Sequence, residues 1–237
     1  MKNRDNLPFT GNILKTVAVV TMLIDHIGAV FFPTVRILRI IGRLAMPIYC
    51  YTIVTGAQYT HDKRKYLLRM TGFALLSEIP FDMAFNDRVL EFSYQNVIFT
   101  LTIGLLCVFA ADYCKNKISS RACLLPAVAV FAFGGAAAEL LRADYGCIGV
   151  AFIAGFYFFK DRPALQTLAL LFSSTMLMML RYQMTTLPLE IYAVFAMVII
   201  LLYNGKRGRK TKLIQYAFYI FYPAHLLVIG ILHMWVL

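Results

Sequence analysis

The sequence predicts an all-α protein, a polytopic bundle of transmembrane helices, and three observations favour this fold class. The chain of 237 residues is 60% hydrophobic and only 15% charged, whereas soluble domains carry about 45–50% apolar and about 25% charged residues. The apolar residues form blocks of roughly 17–22 residues, the length at which a helix crosses a hydrocarbon core of about 30 Å. Blocks such as 123–141 and 187–203 also lack the polar stripe of a soluble helix, so a soluble helical protein is excluded.

About nine such blocks follow one another, within a range of about eight to ten membrane segments. Blocks this long and continuous rule out strands, because only helices satisfy the backbone in lipid without closing a barrel. No linker is long enough to separate two domains, so residues 1–237 are expected to form a single transmembrane domain. The predicted segments are 13–32, 40–59, 66–85, 96–113, 123–141, 146–160, 163–180, 187–203 and 213–236.

The distribution of basic residues predicts the orientation. If the N-terminus is cytoplasmic, every lysine and most arginines fall in cytoplasmic stretches, which agrees with the positive-inside rule. Nine crossings then place the C-terminus outside. The basic residues of the other side are all arginines: Arg36, Arg39, Arg43, Arg88, Arg142 and Arg181.

The formal net charge of +11 does not indicate nucleic-acid binding. The basic residues lie in short loops between apolar blocks, and no nucleic-acid motif is present. The five cysteines form no CxxC pair and lie mostly within apolar blocks, so neither a metal site nor a disulfide is predicted.

The first segment carries ionisable groups where lipid surrounds the chain. An Asp within a membrane helix costs roughly 2.5–3.5 kcal/mol and is a functional hypothesis by default. Asp25 precedes His26, and Lys15 lies eleven residues before His26, on nearly the same helix face and about 16 Å away. Asp25 could fix the tautomer of the His26 imidazole, or it could pair with an arginine of the second segment. Proton relay, substrate binding and general-base catalysis all remain open.

The second segment carries an arginine stripe. Arg36, Arg39 and Arg43 follow i, i+3, i+7 spacing and therefore share one helix face, and Gly42 permits close approach of a neighbouring helix. Such a stripe could hold an anionic ligand or stabilise developing negative charge. Contact of individual arginines with lipid headgroups is the alternative.

Further polar groups interrupt later segments. Glu78 could be a second acid or, as the favoured interpretation, the counter-ion of the arginine stripe. Asn96 could bind a polar substrate or link helices. His225 follows Pro223 in an apolar span and is a candidate second acid/base, or a histidine satisfied by a neighbouring helix. A charge network is expected at the outer rim, formed by Glu139, Arg142, Asp144 and Tyr145.

Motifs spread over nearly the whole chain resemble, as an ordered set, the TraX family. The matching segments, in chain order, are Lys15, Met22-Leu-Ile-Asp25-His26, Arg39-Ile-Ile-Gly42-Arg43-Leu-Ala-Met-Pro47, Tyr66-Leu-Leu-Arg69, Ser77-Glu78-Ile-Pro80-Phe81, Asn96-Val-Ile-Phe99-Thr100-Leu101, Asp144-Tyr145-Gly146, Tyr203-Asn204-Gly205-Lys206-Arg207-Gly208 and Phe218-Tyr219-Ile-Phe221-Tyr222-Pro223-Ala224-His225-Leu226.

The resemblance implies a membrane acetyltransferase that uses acetyl-CoA as co-substrate and needs no metal. The named member of the family acetylates the N-terminus of conjugative pilin subunits. Wider transmembrane acyltransferases carry a basic residue, ten residues and then a His on the first helix, a pattern in which Lys15 replaces the usual Arg. By that likeness His26 is the catalytic base or a transient acyl carrier, with Asp25 as its catalytic partner.

The same resemblance suggests binding roles. Contacts to the acyl-CoA are expected from Lys15, Arg36, Arg39 and Arg43, and contacts to the substrate from Glu78, Asn96, Tyr222 and His225. The cytoplasmic lysines and arginines are a competing site for the CoA phosphates. The acceptor is expected to be a peptide, lipid or small molecule, the surroundings membrane lipid of the bacterial cytoplasmic membrane, and an oligomer is compatible with the sequence. The competing hypothesis is a proton-coupled transporter or exporter, since buried Asp, Glu and His also serve pumps.

Overall fold

The computed structural model describes residues 6–86, 88–118, 121–181, 189–209 and 211–236. Within these residues the chain is helical and contains no β-strand, which confirms the all-α prediction. The α-helices are α1 (Gly11–Val30), α2 (Arg36–Gly42), α3 (Ala45–Tyr59), α4 (Lys63–Leu76), α5 (Glu78–Phe85), α6 (Val97–Lys117), α7 (Leu124–Leu140), α8 (Gly146–Phe158), α9 (Pro163–Arg181), α10 (Ala196–Leu201) and α11 (Lys212–Val236), with 3-10 turns at Arg121–Cys123 and Leu189–Phe195.

Four helices are long and apolar enough to cross a membrane: Gly11–Val30, Arg36–Tyr59, Val97–Lys117 and Lys212–Trp235. The second of these comprises α2 and α3, which are separated by a local break at Arg43 and Leu44. Shorter apolar helices lie at Leu124–Leu140, Gly146–Phe158 and Leu189–Leu201. The protein is therefore a helical membrane protein, while nine crossings and a cytoplasmic N-terminus stay predictions.

Capping side chains mark where several helices begin. The Thr10 hydroxyl accepts a hydrogen bond from the Ile13 N–H at the start of α1. The Asp62 carboxylate accepts one from the Lys65 N–H at the start of α4. Asn96 accepts one from the Ile98 N–H at 3.0 Å and begins α6. Each satisfies an N–H group that the helix itself leaves without a partner.

The start of α1 is held by the loop that precedes α11. Gly11 N–H donates to the Lys206 carbonyl at 2.8 Å, and Asn12 N–H donates to the Arg207 carbonyl at 3.1 Å. Gly208, at φ 85°, lies in the left-handed region that favours glycine and lets this loop turn back against Thr10. These bonds bring distant parts of the chain together beside Lys15.

Candidate functional site

His26 and Asp25 line a cavity of about 280 Å³. Residues of α1, α2, α3 and α5 and of the loops before α6 and α8 enclose it. Its polar lining includes Arg39, Arg43 and Asp144. The structure thus brings together the Asp25-His26 pair and two of the three arginines of the predicted stripe.

The Asp25 carboxylate binds two arginines of the second segment. Arg39 donates to Oδ2 at 2.8 Å, and Arg43 donates to Oδ1 at 2.9 Å and to Oδ2 at 2.8 Å. Arg39 also donates to the Asp25 carbonyl at 3.2 Å. The sequence left two partners open for Asp25, the His26 imidazole and an arginine of the second segment. In the structure both carboxylate oxygens of Asp25 bind guanidinium groups.

Gly42 makes this approach of α1 and α2 sterically feasible. A Cβ atom at position 42 would lie 2.0 Å from Asp25 Oδ1 and 2.2 Å from its Cβ. No side chain fits there unless the Asp25 side chain moves. The small residue expected for close helix approach therefore has a specific neighbour, the carboxylate that holds both arginines.

Gly42→Ala is expected to lower the free energy of unfolding by about 1–3 kcal/mol, the usual cost of overpacking, and to displace Asp25. Thermal unfolding in detergent, followed by loss of the size-exclusion peak, measures this. Gly72→Ala is the matched control because a Cβ at position 72 of α4 would have no neighbour within 4 Å. Equal unfolding temperatures for the two variants would contradict the close packing of Gly42 on Asp25.

His26 forms a hydrogen-bonded pair with His225 of α11. His26 Nδ1 lies 2.7 Å from His225 Nε2, and the two ring planes are within 7° of parallel, with centroids 5.0 Å apart. His225 Nδ1 lies 2.7 Å from the Phe221 carbonyl oxygen, one helical turn earlier. Tyr222 and Phe85 present ring edges to His26 at centroid distances of 6.2 and 5.3 Å. His225 and Tyr222, predicted to bind substrate, lie behind His26 and do not line the cavity.

Glu78 and Asn96, also predicted to bind substrate, bind each other. Glu78 Oε1 accepts hydrogen bonds from the Asn96 N–H at 2.9 Å and from its side-chain amide. That amide also donates to the Ala74 carbonyl at 2.8 Å. The expectation that Glu78 is the counter-ion of the arginine stripe is wrong, since Arg39 and Arg43 form their ion pairs with Asp25 and Glu190.

Sequence reasoning missed the second carboxylate near the arginines. Glu190 Oε1 lies 3.6 Å from Arg43 Nη1, and Glu190 sits in the 3-10 turn before α10. An acidic residue at the start of an apolar block was the available signal. Arg36 is exposed at the start of α2 and does not line the cavity at His26. Of the three arginines of the predicted stripe, Arg39 and Arg43 therefore line the cavity and Arg36 lies outside it.

Asp144 adds a carboxylate to the cavity that contains His26. Its Oδ1 accepts hydrogen bonds from the Tyr94 hydroxyl at 2.8 Å and the Tyr145 N–H at 2.9 Å. Burial raises the pKa of Asp144, while the Tyr94 hydrogen bond and the Arg43 charge oppose that rise. Tyr145 takes a left-handed backbone conformation, φ 62°, and its ring centroid lies 5.5 Å from the Arg43 guanidinium. Glu139, expected in the same network, accepts a hydrogen bond from the Cys147 N–H at 2.9 Å.

Lys15 lines a second cavity, of about 590 Å³, near the first turns of α1. Two further cations line it, Arg69 of α4 and Arg207 of the loop before α11, together with tyrosines and threonines. Its lining contains no Asp or Glu in the part of the chain that the structure describes. Arg69 Nε is buried and has no hydrogen-bond partner among those residues. This cavity is therefore basic and polar, unlike the charge-balanced one around Asp25.

The two cavities are separate in the structure. Leu14 lines the basic cavity and Met22 lines the one at His26, and between them on α1 lies Ala18, which is wholly buried. Side chains of the helical core close the path between the two cavities along α1.

The family is decided by a match over most of the chain. The family model described as "TraX protein" matches residues 10–233. The chain belongs to the TraX family. The matched region includes the segments that build both cavities, and the resemblance drawn from the ordered motifs is confirmed.

Two curated relatives of this TraX-family chain match it over different lengths. A "Probable fimbrial assembly protein FimC, serogroup H1" of Dichelobacter nodosus is 29% identical over 242 residues, covering 93% of this chain and 94% of that protein. An uncharacterised protein of Rickettsia prowazekii (strain Madrid E) is 33% identical over 109 residues, 46% of this chain and 39% of that protein. No solved structure matches the chain.

Proposed function

We propose that this TraX-family protein is an integral membrane acetyltransferase that moves the acetyl group of acetyl-CoA to an amine or hydroxyl acceptor. The observation that carries the proposal is the pair of cavities on α1, a basic one at Lys15 and one at His26 about 16 Å further along the helix. The name of the Dichelobacter nodosus relative, a probable fimbrial assembly protein, favours a pilin-like N-terminus as acceptor.

The basic cavity is the better candidate for the CoA phosphates. Lys15, Arg69 and Arg207 face a space without a lining carboxylate among the described residues, whereas Arg39 and Arg43 are already paired with Asp25. Arginine and lysine are the usual partners of phosphate. If the N-terminus is cytoplasmic, as the positive-inside bias predicts, this cavity opens toward the cytoplasmic CoA pool.

The acetyl end of the ligand would extend along α1 toward His26. Met22 and the wholly buried Ala18 lie on that path, so ligand entry requires a local opening. Met22 lines the His26 cavity, and methionine is unbranched and flexible enough to adopt another rotamer. The acceptor would reach the His26 cavity from its other side, where Tyr94, Asp144 and Tyr145 lie.

His26 acts as general base in this proposal. It takes a proton from the acceptor amine or hydroxyl as that group attacks the thioester carbonyl. The new C–N or C–O bond forms, the C–S bond breaks, and the sulfur keeps the electron pair of that bond. The proton then passes to the sulfur, so the products are the acetylated acceptor and CoA with a free thiol. Arg39, whose side chain is 27% exposed, is positioned to stabilise negative charge that develops on the carbonyl oxygen.

Ligand-induced stabilisation tests the CoA assignment. At a hundred times its Kd, a ligand of the folded state adds about 2.7 kcal/mol of stability, which should raise the unfolding temperature of a chain this long by roughly 5–10 °C. Acetyl-CoA and CoA are expected to give this rise in detergent. A proton-coupled transporter with no CoA site would show no rise with either compound, and that result would contradict the proposal.

Lys15→Ala is expected to reduce that rise. If loss of one phosphate contact weakens affinity about tenfold, roughly half of the ligand stabilisation remains at the same CoA concentration. Arg64→Ala is the matched control, since it also removes one positive charge but from an exposed position outside the cavity. An equal rise in both variants would place the phosphates elsewhere.

A further inference from the structure

His26 and His225 form a chain of hydrogen bonds whose direction can be assigned. The Phe221 carbonyl oxygen can only accept, so His225 Nδ1, at 2.7 Å, carries a proton and donates it. In a neutral imidazole the other nitrogen is then an acceptor, so His225 Nε2 accepts from His26 Nδ1 at 2.7 Å. The ring planes are within 7° of parallel, and the 5.0 Å between their centroids matches two rings that meet edge to edge through this 2.7 Å contact, which gives both nitrogens the in-plane direction that such a bond needs.

We infer that His225 is a positioning residue that holds His26 as the Nδ1–H tautomer and leaves Nε2 as its basic atom. The inference rests on the proposed function in one respect, the role of His26 as base. It assigns that role to one nitrogen of the ring. His26 lines the cavity, whereas His225 is 7% exposed and lies behind it.

The charges around the pair favour two neutral rings. The salt bridges of the described residues place no carboxylate on either imidazole. Asp25, the nearest acid in sequence, is bound to Arg39 and Arg43. A buried imidazolium would therefore lack a counter-ion and lie close to two guanidinium groups, an arrangement that costs free energy.

His225 thereby takes the place that a carboxylate has in a catalytic triad. In a triad the acid fixes the tautomer of the base and stabilises the imidazolium that forms. When His26 Nε2 takes up a proton, Nδ1–H of the same ring continues to donate to His225 Nε2. The transient positive charge of His26 is therefore shared with His225 through this hydrogen bond. The Phe221 carbonyl stabilises the far end of the chain through His225 Nδ1.

The tautomer can be measured directly because the chain has only four histidines. Protein labelled with ¹⁵N at histidine, in lipid vesicles, gives separate solid-state NMR signals for protonated and unprotonated ring nitrogens, and spectra of His26→Asn and His233→Leu assign them. The wild type is expected to show His26 with a protonated Nδ1 and an unprotonated Nε2. His225→Leu is expected to give His26 the Nε2–H form, whereas His225→Gln, whose amide oxygen can accept from Nδ1, should keep the wild-type form.

Acetyl transfer gives a second readout in the same variants. His225→Leu is expected to lower kcat by about 10²–10⁴-fold, the range for a misoriented general base, with KM for acetyl-CoA nearly unchanged. His225→Gln should recover most of the rate, and His233→Leu on the same helix should match the wild type. A wild-type His26 with Nε2–H, or a His26 signal unchanged in His225→Leu, would overturn the inference. Absence of transfer by the wild type would overturn the proposed function instead, and the NMR result would stand by itself.

Discussion

Asp25→Ala is expected to lower the free energy of unfolding by about 3–5 kcal/mol, the range for removing one partner of a buried ion pair. The Asp25 side chain is 11% exposed and that of Arg43 is 8% exposed, so the variant leaves a buried guanidinium whose remaining acidic partner is Glu190, at 3.6 Å. Arg39 is 27% exposed and can reach water, so the loss comes mainly from Arg43. Thermal unfolding in detergent measures it as a lower midpoint.

A double variant separates charge burial from lost packing. Asp25→Ala combined with Arg43→Met removes both buried charges, and most of the lost stability is expected to return because the groups that lose a partner, Arg39 and Glu190, are partly exposed and can reach water. Asp62→Ala is the comparison at the surface, where it removes the exposed Asp62–Lys65 pair and the cap of α4, and a smaller loss of about 0.5–2 kcal/mol is expected. Asp25→Ala with an unfolding midpoint like that of Asp62→Ala would contradict the buried pair.

His26→Ala is expected to lower acetyl transfer by about 10²–10⁴-fold, the usual contribution of a positioned general base. The fold should survive, because His26 is only partly buried and its partner His225 keeps its bond to Phe221. The thermal rise with CoA should also survive, since the Lys15 cavity lies about 16 Å away along α1. The rate of acetyl transfer at saturating acetyl-CoA measures the effect.

Another histidine provides the control for this experiment. His233→Ala changes the same residue type at a position of α11 outside both cavities and is expected to retain wild-type transfer. A His26→Ala protein that still binds CoA but transfers at the wild-type rate would remove His26 from the mechanism.

Local sequence spacing predicted much of the α1–α2 part of the site. The i, i+4 spacing of Arg39 and Arg43 placed both arginines on one helix face, and the Gly between them indicated close approach. The structure places Asp25 against that face. The spacing could not choose between the two partners of Asp25, because adjacent side chains diverge by about 100° and only the packing of α1 on α2 decides which one it meets.

Local sequence patterns could not predict the contact between His26 and His225. His26 and His225 are 199 positions apart, and no periodicity relates α1 to α11. Both histidines were singled out because each interrupts an apolar block, but their contact depends on how the helices pack. Glu190 was missed for the same reason, since its proximity to Arg43 depends on the packing of the turn before α10 against α2.

The segment boundaries illustrate a second limit. Block 66–85 was predicted as one span, and the structure divides it at Ser77 into α4 and α5. Pro80 lacks an N–H group and cannot donate to the Leu76 carbonyl, so the helical ladder is interrupted one turn before the proline. Mean hydropathy over a window does not detect this missing donor. The Ile79-Pro80 pair in the sequence does indicate it.

The most direct test of the central claim is transfer of a labelled acetyl group by the purified protein. Vesicles containing the wild type or His26→Ala receive [¹⁴C]acetyl-CoA and a pilin-like peptide with a free N-terminal amine, and mass spectrometry with label counting follows the peptide and the released CoA thiol. The wild type is expected to produce acetylated peptide and CoA in equal amounts, and His26→Ala about 10²–10⁴-fold less. Equal label on the peptide in both preparations, or none in the wild type with any amine or hydroxyl acceptor offered, would contradict an acetyltransferase centred on His26.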